Sequence, residues 1–173
     1  EMPRATPHTL TEYEETKSVA GREALEMAAR GVPIVVVHPT RVYGPGKRTE
    51  GNSVSLMIDD YDRGRFPVVP GRGENVGNYV LVDDLVEGIL RLLRSDYVGP
   101  MNIGNPREMT LLEMARAIIG LADSPSEIVF RGLPPDDPKV RRPDITLAKR
   151  VLDWEPRTVF ADWLISPKNP SFS

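Results

Sequence analysis

The chain has 173 residues, 40% of them hydrophobic, which is the size of one ordinary globular domain with a real core. A net charge of -3 and a pI near 5.5 leave no electrostatic footprint for nucleic acid or an anionic membrane, so neither is an expected partner. With no cysteine and only His8 and His38, the chain has no disulfide framework and no thiolate metal site, and no metal is expected.

Residues 1 to 8 are polar, and Thr9 followed three positions on by Glu12 reads as a capping box opening a helix over about 10 to 30. Its Glu, Lys, Ala, Leu and Met content suits a helix, and Gly31 is the stop signal. Pro33-Ile34-Val35-Val36-Val37 is a β-branched run without alternation, the pattern of a central parallel strand buried on both faces. After His38-Pro39 the segment Arg41-Val42-Tyr43-Gly44-Pro45-Gly46 reads as a loop, placed where a parallel strand would present a ligand at its carboxyl end.

A helix over about 53 to 63 ends near Gly64. It is followed by the apolar stretch Phe66-Pro67-Val68-Val69, a Gly-rich turn at 71 to 77 and a brief strand at 79 to 82. Asp83 is the expected N-cap of a helix over about 84 to 94. Met101-Asn102-Ile103 reads as a strand, Thr110 to about Leu121 as a helix with a Thr110 and Glu113 capping box, and Ile128-Val129-Phe130 as a further strand. Beyond lie a proline-rich loop, a short helix near 146 to 152 and an irregular tail. Helices alternating with short apolar strands argue for an α/β fold.

Tyr13 and Lys17 are the sharpest chemical signal. Residues four apart on a helix share a face, so a phenol and an ammonium at this spacing address one small volume. A nearby cation favours the phenolate and lowers a tyrosine pKa from its usual value near 10, which suits a general acid or base. Other motifs fail on spacing. Gly71-Arg72-Gly73 with Gly77 does not match a dinucleotide fingerprint, and Arg41 stands where a phosphate-binding loop ending at Gly46-Lys47 needs its first glycine. Asp83-Asp84 is better explained by capping and the helix dipole than by a metal, and Trp154 and Trp163 by packing.

Tyr13-x-x-x-Lys17, the helix running to Gly31, the strand at 33 to 37 and Val42-Tyr43-Gly44-Pro45-Gly46 together resemble the extended short-chain dehydrogenase/reductase family, the NAD-dependent epimerase/dehydratases. The likeness continues through Asn78 to Gly88, Asn102 to Pro106 with Thr110, and Arg141-Arg142-Pro143-Asp144-Ile145 followed by Leu152-Asp153-Trp154-Glu155-Pro156. The last part is similar to nucleotide-sugar decarboxylases and epimerases. Two positions lean towards the dihydroflavonol-reductase-like branch: Arg41, where many nucleotide-sugar members have asparagine, and Gly77-Asn78, where many carry an arginine.

The resemblance implies the C-terminal part of a Rossmann-like parallel sheet plus a small substrate-binding lobe. Residues 1 to 50 would carry the last helix and strand of the Rossmann-like domain, and residues 51 to 173 mainly the lobe, with segments returning to the sheet. It implies NAD or NADP as cofactor, Tyr13 as acid/base, Lys17 on the nicotinamide ribose, and Pro39 and Thr40 beside the nicotinamide. Substrate contacts would come from Arg41, Tyr43, Asn78, Arg141 and Arg142, an arginine fork being matched to diphosphate oxygens.

A nucleotide sugar or related small molecule is then the expected substrate, and a homodimer through the Tyr13 helix the expected assembly. The alternatives are net reduction of a ketone by NADPH, and an inactive fragment that only binds a ligand or a protein. The family's Gly-rich cofactor turn has no counterpart in these residues, and the opening Glu1-Met2-Pro3-Arg4 suggests a piece of a longer protein. With no apolar run near the roughly 20 residues that span a bilayer, and no signal-peptide pattern, a cytoplasmic location is expected.

Overall fold

Gly31 takes a left-handed φ of 88°, a conformation that costs glycine little, and ends the first helix. A computed structural model describes residues 12–45, 53–63, 68–131 and 142–166. In chain order its first elements are α1 (Glu12–Ala29), β1 (Val35–Pro39), β2 (Arg41–Tyr43), α2 (Ser53–Asp62), β3 (Val68–Pro70) and β4 (Val76–Leu81). Then come α3 (Val82–Leu93), β5 (Gly99–Ile103), β6 (Glu108–Thr110), α4 (Leu111–Ala122), β7 (Val129–Arg131), α5 (Thr146–Leu152) and α6 (Phe160–Leu164). The fold is α/β, as the sequence leads one to expect.

β1 lies parallel to β5, from Val35 opposite Gly99 to Pro39 opposite Ile103. β2 lies parallel to β4, and β4 antiparallel to β6. β3 and β7 form a separate parallel pair. The period of two along a strand divides the β2 and β4 side chains between two cores. Tyr43, Tyr79 and Leu81 join one core with Val54, Ile58 and Tyr61 of α2, Met114 and Ile118 of α4, and Phe160 and Trp163. Val80, with Val42 packed against it, joins the other with Leu85, Leu92, Met101, Ile103, Ala148 and Trp154. The β2–β4 pair therefore separates the two cores.

Four expectations are corrected. The strand expected over 33 to 37 lies at 35 to 39. Its valines are only half-buried, because β1 has one strand partner among the described residues. Arg41–Tyr43 is a strand, not a loop, because pairing with β4 satisfies its backbone. Asp83 does not cap α3. The chain passes from the extended Leu81 into the helix at Val82, and no side chain bonds to the cap position. The tail also contains α6, held by the buried Phe160, Trp163 and Leu164. The capping box on α4 forms in full, with Thr110 and Glu113 each satisfying the other's backbone N–H.

Candidate functional site

α1 touches the body of the molecule along a narrow line. Gly21, Ala24, Leu25 and Ala28 are half-buried, whereas residues 15 to 20 are exposed. Steps of four back from Gly21 lead to position 17, on the face that meets β1, and Tyr13 lies one turn further towards the start of α1. Only residues 30 to 34 separate α1 from the strand it packs on, so helix and strand run in opposite directions. The 18 residues of α1 extend roughly 27 Å. The 5 residues of β1 extend only about 16 Å. The first turns of α1 therefore overhang the carboxyl end of β1, which accounts for their exposure.

At that carboxyl end Thr40 and Asn105 meet. The Asn105 N–H donates to the Thr40 hydroxyl at 3.2 Å, and a Cβ on the intervening Gly104 would stand 2.6 Å from the Thr40 methyl. Only glycine allows β5 to approach Thr40 this closely. The Asn105 side chain, buried, donates to the Tyr79 carbonyl at 2.9 Å and accepts from the Arg107 N–H at 3.0 Å. One residue thus ties the end of β5 to the β1–β2 crossover and to β4.

Next to it, Pro106 forms one wall of an open cleft of about 400 Å³, completed by Arg142, Pro143, Asp144, Ile145, Thr146 and Lys149. Asn102 of β5 donates to the Asp144 carbonyl at 3.0 Å and fixes that wall to the sheet. Thr146, through its side chain and its backbone N–H, holds the Asp144 carboxyl below the usual carboxylate range. Arg142 is exposed at the cleft, while Lys149 pairs with Glu155.

The expected site residues therefore divide. Pro39, Thr40 and Arg142 gather around the carboxyl ends of β1 and β5, where an open parallel sheet presents its ligands. Arg41 is exposed on β2, and its guanidinium donates to the Tyr79 hydroxyl at 3.4 Å. Asn78 is buried. Its amide donates to the Arg107 carbonyl at 3.0 Å, and its carbonyl oxygen has no partner among the described residues. Tyr43 is 1% exposed, with its ring edge-on to Phe160 and Trp163 at 5.1 Å each. Burial, and secondarily the Asp84 carboxylate, push its phenol pKa strongly up, so Tyr43 is a packing residue at this surface.

Arg141 and the Thr9 cap lie outside the described residues. Gly104, Asn105 and Lys149 are not among the site residues expected from the sequence. The Gly104-Asn105-Pro106 stretch directly after the strand was the available signal. Among the described residues no group of three or more His, Asp or Glu side chains could hold a metal, and no helix is long and apolar enough to cross a membrane.

Residues 1–104 match the model of the NAD dependent epimerase/dehydratase family. Over 154 residues the chain is 36% identical to UDP-glucuronic acid decarboxylase 5 of Arabidopsis thaliana, a match spanning 88% of this chain and 45% of that protein. UDP-glucuronic acid decarboxylase 1 of Xenopus tropicalis is 37% identical over 146 residues, or 83% of this chain and 35% of its own length. The chain thus spans less than half the length of these relatives. Among solved structures, UDP-glucose 4-epimerase from Thermotoga maritima with UDP-glucose superposes with a TM-score of 0.83 at 28% identity, over 91% of this chain and 52% of that one. UDP-glucuronic acid 4-epimerase from Bacillus cereus, in complex with UDP-glucuronic acid and NAD, shares the fold with a TM-score of 0.79 at 21% identity, over 92% and 52%.

Proposed function

Because the chain belongs to the NAD dependent epimerase/dehydratase family, we propose that it is the C-terminal portion of an NAD(P)-dependent nucleotide-sugar epimerase, dehydratase or decarboxylase, with Tyr13 as its acid/base and Lys17 as that residue's partner. One observation carries the reading: α1, which bears Tyr13 and Lys17 four residues apart, packs on β1, and Thr40 and Asn105 meet at the carboxyl end of that strand, beside the Arg142 cleft. The UDP-glucuronic acid decarboxylases at 36% and 37% identity favour a nucleotide-sugar substrate over a simple ketone.

The residues present fit the nicotinamide end of the cofactor. Lys17 would hold its ribose, and Pro39 and Thr40 would line its ring, on a floor that Gly104 keeps clear of side chain. Bound NAD would supply the hydride acceptor. The chain's own part is to move a proton at the Tyr13 hydroxyl, with the Lys17 ammonium favouring the phenolate. Arg142, with Arg141, would meet the diphosphate through guanidinium forks, and Arg41 and Asn78 would lie on the substrate side. In this reading residues 1 to 50 complete the Rossmann-like domain, residues 51 to 173 form mainly the substrate lobe, and two copies pair through α1 in the cytoplasm.

The test is Tyr13→Phe in the full-length gene product, assayed with UDP-glucuronic acid and UDP-glucose. Turnover should vanish while NAD binding persists, and turnover equal to the parent's would overturn the role of Tyr13.

A further inference from the structure

We propose that Arg41, aimed by Tyr79 across the side-chain-free Gly77, is the contact that reads an oxyanion of the substrate, a phosphate or a sugar carboxylate. The inference rests on the nucleotide-sugar reading and adds to it how one guanidinium is oriented and what it selects.

The β2–β4 register sets Arg41 directly opposite Tyr79, and side chains at 41, 43, 79 and 81 share one face of the strand pair. Tyr43, Tyr79 and Leu81 are buried there, and Arg41 is exposed at the rim. Its Nη1 donates to the Tyr79 hydroxyl at 3.4 Å. An arginine has five N–H donors, and this bond occupies one of them. Among the described residues Arg41 has no carboxylate partner, unlike Arg63 with Asp59, Arg91 with Glu87 and Lys149 with Glu155.

The phenol is set in place by what stands two residues earlier. A Cβ at Gly77 would lie 2.6 Å from Tyr79 Cζ, well inside contact distance. Gly77 is not among the glycines with positive φ, so it contributes space and not backbone freedom. The empty position lets the phenol lie along β4, where its hydroxyl accepts from the exposed guanidinium, which has further donors to offer a ligand. A charged fork fixed on one side by a neutral hydroxyl is suited to an incoming anion.

Calorimetric titration of the full-length gene product with UDP, UDP-glucose and UDP-glucuronic acid tests this. Arg41→Ala should weaken binding roughly tenfold, the loss expected for one hydrogen bond to a charged group. Tyr79→Phe and Gly77→Ala should each produce a smaller loss, because both free the guanidinium without removing it. Weakening of all three ligands identifies the diphosphate as the oxyanion read, and weakening of UDP-glucuronic acid alone identifies its carboxylate. Parent-like binding of all three by Arg41→Ala overturns the inference and leaves the nucleotide-sugar reading standing. Failure of the parent protein to bind any of them overturns both.

Discussion

Trp154 donates its indole N–H to the backbone carbonyl of Asp84 at 3.0 Å, a buried bond between residues 70 apart in the chain. The Asp84 carboxylate accepts the Thr158 N–H at 2.9 Å, and Arg91 donates to the carbonyls of Leu152 and Asp153. α3 therefore clasps the segment that leads into α6. Asp84→Ala should cost about 1 to 3 kcal/mol, because it strands a partly buried N–H. Asp84→Asn keeps an acceptor oxygen and should cost less. Urea denaturation at constant slope measures both. Equal midpoints for Asp84→Ala and the parent would mean that water satisfies Thr158.

The Thr110 and Glu113 capping box gives a pH-dependent prediction. The Thr110 backbone N–H first, and its hydroxyl second, hold the Glu113 carboxyl below the usual range. A depressed folded-state pKa means that the contribution is present above the ordinary glutamate pKa and is lost as the pH falls through the folded value. Thr110→Ala should cost about 1 kcal/mol at neutral pH. The melting temperatures of Glu113→Ala and the parent should converge on acidification. A gap that stays constant with pH would show that the carboxylate contributes nothing through its charge.

α4 was readable in the sequence because both halves of its capping box lie within one turn, and the end of α1 because Gly31 is a local stop. β2 and β6 were not, since three-residue strands exist only through their pairing with β4, more than 25 residues from either partner. α6 escaped because Val159 before it offers no side-chain cap, and its helix depends on the burial of Phe160 and Trp163. For the proposed Tyr13 and Lys17 pair, the spacing is local and could be read directly. The role of Asn105 could not, because its partners Thr40 and Tyr79 lie 65 and 26 residues away. Tyr43 sits in a stretch that reads as a ligand loop, and only the folded chain brings Phe160 and Trp163 against its ring.

Gly88 and Gly120, both within helices, should respond oppositely to alanine. A Cβ at Gly88 would stand 2.6 Å from Ile103 Cγ2 and 2.9 Å from Trp154 Cε2, in a core where those residues are 0% and 2% exposed. Overpacking there costs typically about 1 to 3 kcal/mol and outweighs the gain of up to about 1 kcal/mol from helix propensity. At Gly120 nothing lies within 4 Å of the added carbon, so the propensity gain stands alone. Gly88→Ala should melt lower than the parent and Gly120→Ala higher. Stabilisation by both would mean that the Ile103 and Trp154 side chains yield freely.

Tyr43 and Tyr61 should resist ionisation. Both are essentially unexposed, and neither hydroxyl has a hydrogen-bond partner among the described residues. Burial pushes the Tyr61 phenol up to about 12, and burial with the Asp84 carboxylate pushes Tyr43 higher still. The fold thus prefers the neutral phenol, so each contribution is fully present below the ordinary tyrosine pKa of 10.0 and is lost as the pH rises through the folded value. Spectrophotometric titration should show two phenols ionising only as the protein unfolds in alkali. Tyr61→Phe deletes a hydroxyl with no partner among the described residues, so at neutral pH it should change stability by less than about 1 kcal/mol, while delaying alkaline unfolding. A larger loss at neutral pH would reveal a partner for that hydroxyl, and the predicted alkaline gain would then disappear with it.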